Sequence, residues 1–135
     1  LENVLRSLNK VRVDLRANNK IWTLFGCGGD RDKGKRPLMA AIAAKYSDRV
    51  MVTSDNPRTE EALQIINDVL EGFSPSQRKS AEVEVDRRKA IQKVLAQTQP
   101  GDVVLIAGKG HEDFQILGKE KIHFSDVEVA KEFLV

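Results

Sequence analysis

At 135 residues the chain has the length of one domain and is long enough to bury a real core. Its 22 basic and 20 acidic residues leave a net charge of +2, which supplies no global field for nucleic acid, and 5% aromatic content leaves few platforms for stacking single strands. One cysteine, Cys27, excludes an internal disulfide and fits a reducing compartment, and no apolar run reaches the length of a membrane span. The chain opens in a helical pattern with neither an initiator Met nor a signal peptide, so a fragment of a larger protein is expected.

Leu1, Val4, Leu5, Leu8 and Val11 or Val13 recur at helical spacing and predict a first helix ending near Asn18 and Asn19. Residues 21–25 are short, apolar and β-favouring, and predict a buried strand. Glycines at 26, 28, 29 and 34 break that pattern, and Pro37 can occupy the first turn of a helix running to Tyr46, whose alanines suit close packing on a sheet. A strand, a glycine-rich bend and a helix N-terminus together make an anion-receiving corner, with free backbone N–H groups and the helix dipole facing outward. The corner carries Arg31, Lys33, Lys35 and Arg36, balanced by Asp30 and Asp32.

Two familiar templates nearly fit here. Gly29-x-x-x-x-Gly34-Lys35 approaches a Walker A loop, but Arg36 replaces the Ser or Thr that would bind Mg²⁺. Gly26-x-Gly28-x-x-Arg31 lacks the third glycine of the dinucleotide fingerprint.

Residues 49–53 predict a second strand, followed by Ser54-Asp55-Asn56-Pro57-Arg58. Thr59 is the expected N-cap of a helix burying Leu63, Ile65, Ile66, Val69 and Leu70, and residues 72–76 read as a loop. Residues 81–85 alternate as a short strand. Asp86 then caps a helix with Ala90, Ile91, Val94 and Leu95 inward, and Arg87 and Arg88 on its solvated face. Pro100-Gly101-Asp102 is a turn, and residues 103–107 form the most apolar strand, ending in Gly108-Lys109-Gly110-His111-Glu112. A hairpin of residues 114–117 and 121–124 over Gly118-Lys119-Glu120 precedes a last helix capped by Ser125, with Val127, Val129, Ala130, Phe133 and Leu134 closing the fold. Strands separated by helices imply a three-layer α/β sandwich, mostly parallel, with an antiparallel hairpin at its edge.

Three loops follow strand carboxyl ends, where open α/β sheets bind ligands: residues 26–36, 55–58 and 108–112. Arg31 and Arg58 can each grip a carboxylate bidentately, Asn56 can donate and accept, and Glu112 can receive an ammonium. Pro57 stiffens the backbone between Asn56 and Arg58, which limits the entropy lost on clamping a ligand. The set suits a small zwitterion with more than one carboxylate. Plainer readings stand beside this one. Asp55 can brace its loop through an Asx-type turn, Lys33, Lys35 and Arg36 can form a solvated basic face, and Cys27 can be a small packing residue. His111 can anchor its loop, and His123 sits on the surface of the hairpin.

Asp55-Asn56-Pro57-Arg58, the run from Gly28 to Pro37, and Gly108-Lys109-Gly110-His111-Glu112 together resemble the C-terminal domain of Mur ligases, nearest the diaminopimelate-adding MurE type. The resemblance covers essentially the whole chain and implies a Rossmann-like fold. It implies that Arg31, Asp55, Asn56, Pro57, Arg58, Gly108 and Glu112 form the meso-diaminopimelate site, and that Asp30 and Lys33 face ATP in the closed enzyme, with no catalytic residue and no metal ligand in this domain.

In the full enzyme the D-glutamyl carboxylate of UDP-N-acetylmuramoyl-L-alanyl-D-glutamate would be phosphorylated by ATP with Mg²⁺, and the amine of diaminopimelate would displace phosphate to form an amide. N-terminal and central ATPase domains would belong to the same polypeptide and lie outside this chain. The expected setting is peptidoglycan biosynthesis in the cytoplasm, without nucleic acid or membrane insertion. The isolated domain is expected to bind neither ATP nor Mg²⁺ tightly and not to catalyse. The competing readings are a stand-alone nucleotide- or dinucleotide-binding module and a non-catalytic α/β interaction domain.

Overall fold

A computed structural model describes residues 1–14, 19–109 and 112–134, with the side chains of Val13 and Asp14 excepted. The elements in chain order are α1 (Glu2–Asp14), β1 (Ile21–Phe25), α2 (Lys35–Tyr46), β2 (Arg49–Val52), α3 (Ala62–Leu70), α4 (Pro75–Ser80), β3 (Glu82–Val83), α5 (Arg87–Gln97), β4 (Val103–Ala107), β5 (Phe114–Leu117), β6 (Glu120–His123) and α6 (Asp126–Phe133). Four strands form one parallel sheet in the order β3-β2-β1-β4, and β5 and β6 form a separate antiparallel pair. One β-bridge, between Arg58 and Leu117, joins the hairpin's backbone to the loop after β2, and side-chain bonds from Gln115 and the Ile116 amide add to it.

Central β1 is buried along its whole length, as its continuous apolar run requires. Its residues divide between two cores. Phe25 joins Val50 and Val52 of β2 against Ala40 and Ala43 of α2 and Ile66 and Val69 of α3. Trp22 and Leu24 join Met51 against Ala90, Ile91 and Val94 of α5 and Val129 of α6. Helices therefore cover both faces, giving three layers. Ala40 and Ala43 are fully buried, and their small side chains let α2 approach the sheet closely.

Several local expectations hold with their physical cause visible. Asp86 accepts from the Lys89 amide, and Ser125 from the Glu128 amide, as N-caps should. Others are corrected. Thr59 does not cap α3, whose N-cap is Glu61 without a side-chain bond. Residues 75 and 76, read as loop, begin α4, which starts with a Ser74–Gln77 capping box and Pro75 in the first turn. Leu63 and Val127 are more than half exposed, as is Leu134 beyond α6. The first helix is described over Glu2–Asp14. Its proposed continuation and the Val13 contact lie outside the described residues, as do Gly110 and His111.

Candidate functional site

The carboxyl ends of β1, β2 and β4 lie side by side, because β1 pairs in parallel with both of the others. The connection leaving β1 runs toward β2, whereas β4 adds on the opposite side. This is the switch point at which α/β sheets open a crevice. A cleft of about 430 Å³ lies there, lined among others by Cys27, Gly28, Arg31, Arg36, Asp55 and Gly108.

The glycine corner is built by close backbone approach. A Cβ at Gly26 would lie 2.6 Å from the Thr53 carbonyl oxygen, and one at Gly29 only 1.8 Å from that of Pro57. Only glycine lets the first two loops touch here. The expectation of free amides fails at five positions. Gly29 N–H donates to the Asn56 carbonyl (2.7 Å), Lys35 to Asp32 and Arg36 to Lys33. Asp30 N–H donates to Glu60 (2.6 Å), and Gly34 to Asp32 Oδ1 (2.9 Å). The corner holds itself together with donors that a phosphate loop would aim at its ligand.

Arg36, expected on a basic surface, is instead 1% exposed. It forks onto Glu60 at 3.2 and 2.8 Å, reaches Asp68 at 2.9 Å and donates to the Gly28 carbonyl at 3.1 Å. These bonds, with the Asp30 amide, hold the Glu60 carboxyl down to about 2. Asp30 takes a left-handed backbone (φ 56°) and accepts the Thr59 hydroxyl at 2.6 Å, so Thr59 ties the two loops together. Lys33 is exposed and lies 3.6 Å from Glu60. Neither Asp30 nor Lys33 lines the cleft.

Arg31 is exposed at the cleft and makes no ion pair among the described residues. Arg58 approaches from the neighbouring loop, its backbone left-handed (φ 52°) and its Nη1 on the Gly29 carbonyl at 3.1 Å. A Cβ on Gly28 would meet Arg58 Nη1 at 3.0 Å and Arg31 Cγ at 3.3 Å, so both arginines flank this glycine. Pro57 places its carbonyl against Gly29 and accepts the Glu60 amide. Gly108 has φ 110°, a conformation reserved for glycine, and brings the third loop onto Gly26 and Asp55. Glu112 is half-buried, caps its own turn with N–H to the Lys109 carbonyl (3.0 Å), and does not line the cleft.

Two residues that sequence reasoning assigned no role organise this edge. Lys109 is buried, with Nζ donating to the Phe114 carbonyl (2.7 Å) and Asn56 Oδ1 (3.1 Å) and standing 2.9 Å from Asp55 Oδ1, an ion pair without hydrogen-bond alignment. Gln115 donates to the Asp55 carbonyl (2.7 Å) and to Ser54 Oγ. Arg87, expected in solvent, is buried and forks onto Asp126 at 2.8 Å twice, also bonding the Ser54 and Ala107 carbonyls at the ends of β2 and β4. Arg88 is the one that stays exposed, beside Glu132. The Cys27 thiol touches Met39 and is pushed up to about 11 by burial, which suits a packing role over a nucleophile's. Among the described residues no three His, Cys, Asp or Glu side chains converge as a metal site requires, and no helix is long and apolar enough to cross a membrane.

The family described as "Mur ligase, glutamate ligase domain" matches residues 1–110. The UDP-N-acetylmuramoyl-L-alanyl-D-glutamate--2,6-diaminopimelate ligase of Synechococcus sp. (strain WH7803) is 61% identical over 111 residues, 82% of this chain and 22% of that protein. The enzyme of the same name from Clostridioides difficile (strain 630) is 52% identical over 134 residues, 99% of this chain and 26% of that protein. A solved structure of a ligase of that name superposes with a TM-score of 0.85 at 41% identity, covering 98% of this chain and 27% of that one. The chain thus spans about a quarter of the length of the relatives it matches. With its three-layer parallel fold and its three converging loops, the chain belongs to the Mur ligase family, as a glutamate ligase domain.

Proposed function

We propose that this chain is the C-terminal, amino-acid-capturing domain of an ATP-dependent ligase that adds meso-diaminopimelate to UDP-N-acetylmuramoyl-L-alanyl-D-glutamate in cytoplasmic peptidoglycan synthesis. The observation that carries the reading is the pair Arg31 and Arg58, which flank Gly28: Arg31 and Gly28 line the cleft, and Arg58 stands behind Gly28 on the neighbouring loop. Diaminopimelate has two carboxylates, and two guanidinium forks can hold one each. Asn56 and the Gly108 backbone would complete the carboxylate contacts, with Asp55 and Pro57 shaping the loop and Glu112 receiving an ammonium group.

This domain's contribution is then positional: it holds the attacking amine against the activated D-glutamyl carboxylate, which raises its effective concentration. ATP would supply the activating phosphoryl group from the remainder of the polypeptide. Lys33 can swing from Glu60 to a nucleotide phosphate on closure, while Asp30 acts through the turn it braces. Mg²⁺ would accompany the nucleotide phosphates, held together with them by the remainder of the polypeptide. The chain by itself would present an amine without catalysing. The internal bonding of the corner amides weighs against a stand-alone nucleotide module.

The test is selectivity in the full-length ligase. Lysine lacks the distal carboxylate, so Arg58→Ala should cost on the order of 2–5 kcal/mol in kcat/KM for diaminopimelate and far less for lysine. Alanine retains a Cβ at the left-handed position, so backbone strain is the same in both proteins. An equal loss for both amino acids would assign Arg58 to loop structure through the Gly29 carbonyl and overturn the reading.

A further inference from the structure

The Asn56 carboxamide has an orientation fixed by chemistry. Its Oδ1 meets two groups that can only donate, the Lys109 ammonium at 3.1 Å and the Ile116 backbone N–H at 2.8 Å. A nitrogen at that place would face two donors, so the oxygen must sit there. The opposite branch of the side chain is therefore an NH₂ group, which only donates. Asn56 is 2% exposed, and its own carbonyl holds the Gly29 amide, so the residue has little room to turn.

We infer that Lys109 is a positioning residue for amino-acid selection: by holding Asn56 Oδ1 next to Asp55, which lines the cleft, it leaves only the amide donor to read a substrate carboxylate. Its three partners come from two segments, neither its own. Asp55 and Asn56 follow β2, Phe114 opens the hairpin, and Lys109 itself follows β4. Exchange of the lysine for an apolar residue frees Oδ1 to turn and removes the pin that keeps the hairpin against the loop. Arg58 is coupled to the same pin, because its N–H donates to the Ile116 carbonyl, next to the Phe114 and Gln115 contacts. The inference rests on the proposed capture of diaminopimelate.

The experiment is a double-mutant cycle in the full-length ligase, with Lys109→Met, Asn56→Ala and the pair. Lys109→Met should lower kcat/KM for diaminopimelate on the order of 10- to 100-fold, mostly through KM, as expected for loss of a buried charge-assisted bond. KM for ATP and for the UDP-linked substrate should stay within about twofold, because none of the pin's partners is Asp30 or Lys33, the residues read as facing ATP. In the Asn56→Ala background the same change should add less than about threefold, since neighbours acting through one contact are not additive.

Multiplying losses in the double variant, or equal KM changes for all three substrates, would overturn the inference and leave Lys109 a structural residue. Asn56→Asp keeps the acceptor that Lys109 and Ile116 need while replacing the outward donor by an anion. It should keep a cooperative urea transition yet raise KM for diaminopimelate at least about tenfold, by loss of a donor to a carboxylate. It decides the matter if Lys109→Met does not fold, and an unchanged KM there would also overturn the inference. A wild-type ligase that does not use diaminopimelate would refute the proposed function itself, and this inference with it.

Discussion

Replacement of Arg87 by Met should be among the most damaging single changes in the chain. The guanidinium makes four hydrogen bonds, two to Asp126 at 2.8 Å and one each to the Ser54 and Ala107 carbonyls at 3.0 and 3.1 Å. Methionine matches much of the aliphatic stem, so little packing is lost. What remains is a carboxylate that is 5% exposed without a counter-charge, and stranding such a group costs about 3–5 kcal/mol. Loss of donors to two carbonyls adds about 1 kcal/mol, and the position of Asp126 in the first turn of α6 returns a similar amount through the helix dipole. The net is about 4 kcal/mol, set against a total stability of about 5–15 kcal/mol for such a domain. Equilibrium urea unfolding, followed by the fluorescence of the single buried Trp22, should show a midpoint lowered by roughly 2 M. Arg87→Met with Asp126→Leu removes both charges and should recover at least half of the loss. A midpoint shift below about 0.5 M at unchanged slope would show that Asp126 is hydrated without Arg87, and the burial argument would fail.

Acid stability should follow Glu60. Its carboxyl is held down from 4.5 to about 2, first by Arg36 and then by the Asp30 amide, so its contribution is complete above pH 4.5 and disappears as pH falls toward 2. Glu60→Gln should flatten the urea midpoint across that window, and parallel curves for the two proteins would assign the acid limb to other groups. Gly29→Ala forces a methyl to within 1.8 Å of the Pro57 carbonyl oxygen. Strain of about 1–3 kcal/mol should lower Tm by roughly 3–12 °C, and an unchanged Tm would mean that the 55–58 loop moves aside without cost.

The layers and most elements were legible because they depend on neighbours in sequence. Residues 21–25 and 103–107 are strands with the bounds their apolar runs predict, and Asp86 and Ser125 bond amides three residues on. The α4 helix was missed because none of its residues is buried, so it carries no hydrophobic period. Its Ser74-Pro75-Ser76-Gln77 start was nonetheless a readable signal. Arg36 and Arg87 were misplaced for a different reason. Their partners stand 24 and 32 residues away for Arg36, and 39 for Arg87, and nothing local distinguishes a buried arginine from a solvated one. Two of the corner's amides were misjudged likewise, since the acceptors of Gly29 and Asp30, Asn56 and Glu60, come from the next loop, while Gly34, Lys35 and Arg36 bond within the corner to Asp32 and Lys33. Lys109 stood in plain view within Gly-Lys-Gly-His-Glu, but its role needed Asn56 and Phe114 to be placed first.

The placing of β1 between β2 and β4 also sets the order in which the molecule can be made. Trp22 pairs with Arg49 on one side but with Val104 on the other, so half the partners of the central strand come only after β3 and α5. The segment from β1 through β2 and α3 can condense early around Phe25, Val52 and Ile66, while the flank awaiting β4 remains an open, apolar edge. Closing that edge brings in residues 108 and 109 and then the hairpin that braces the Asn56 loop. The binding edge thus depends on β4 taking its place, and an unpaired flank on β1 is the point at which self-association competes with that pairing.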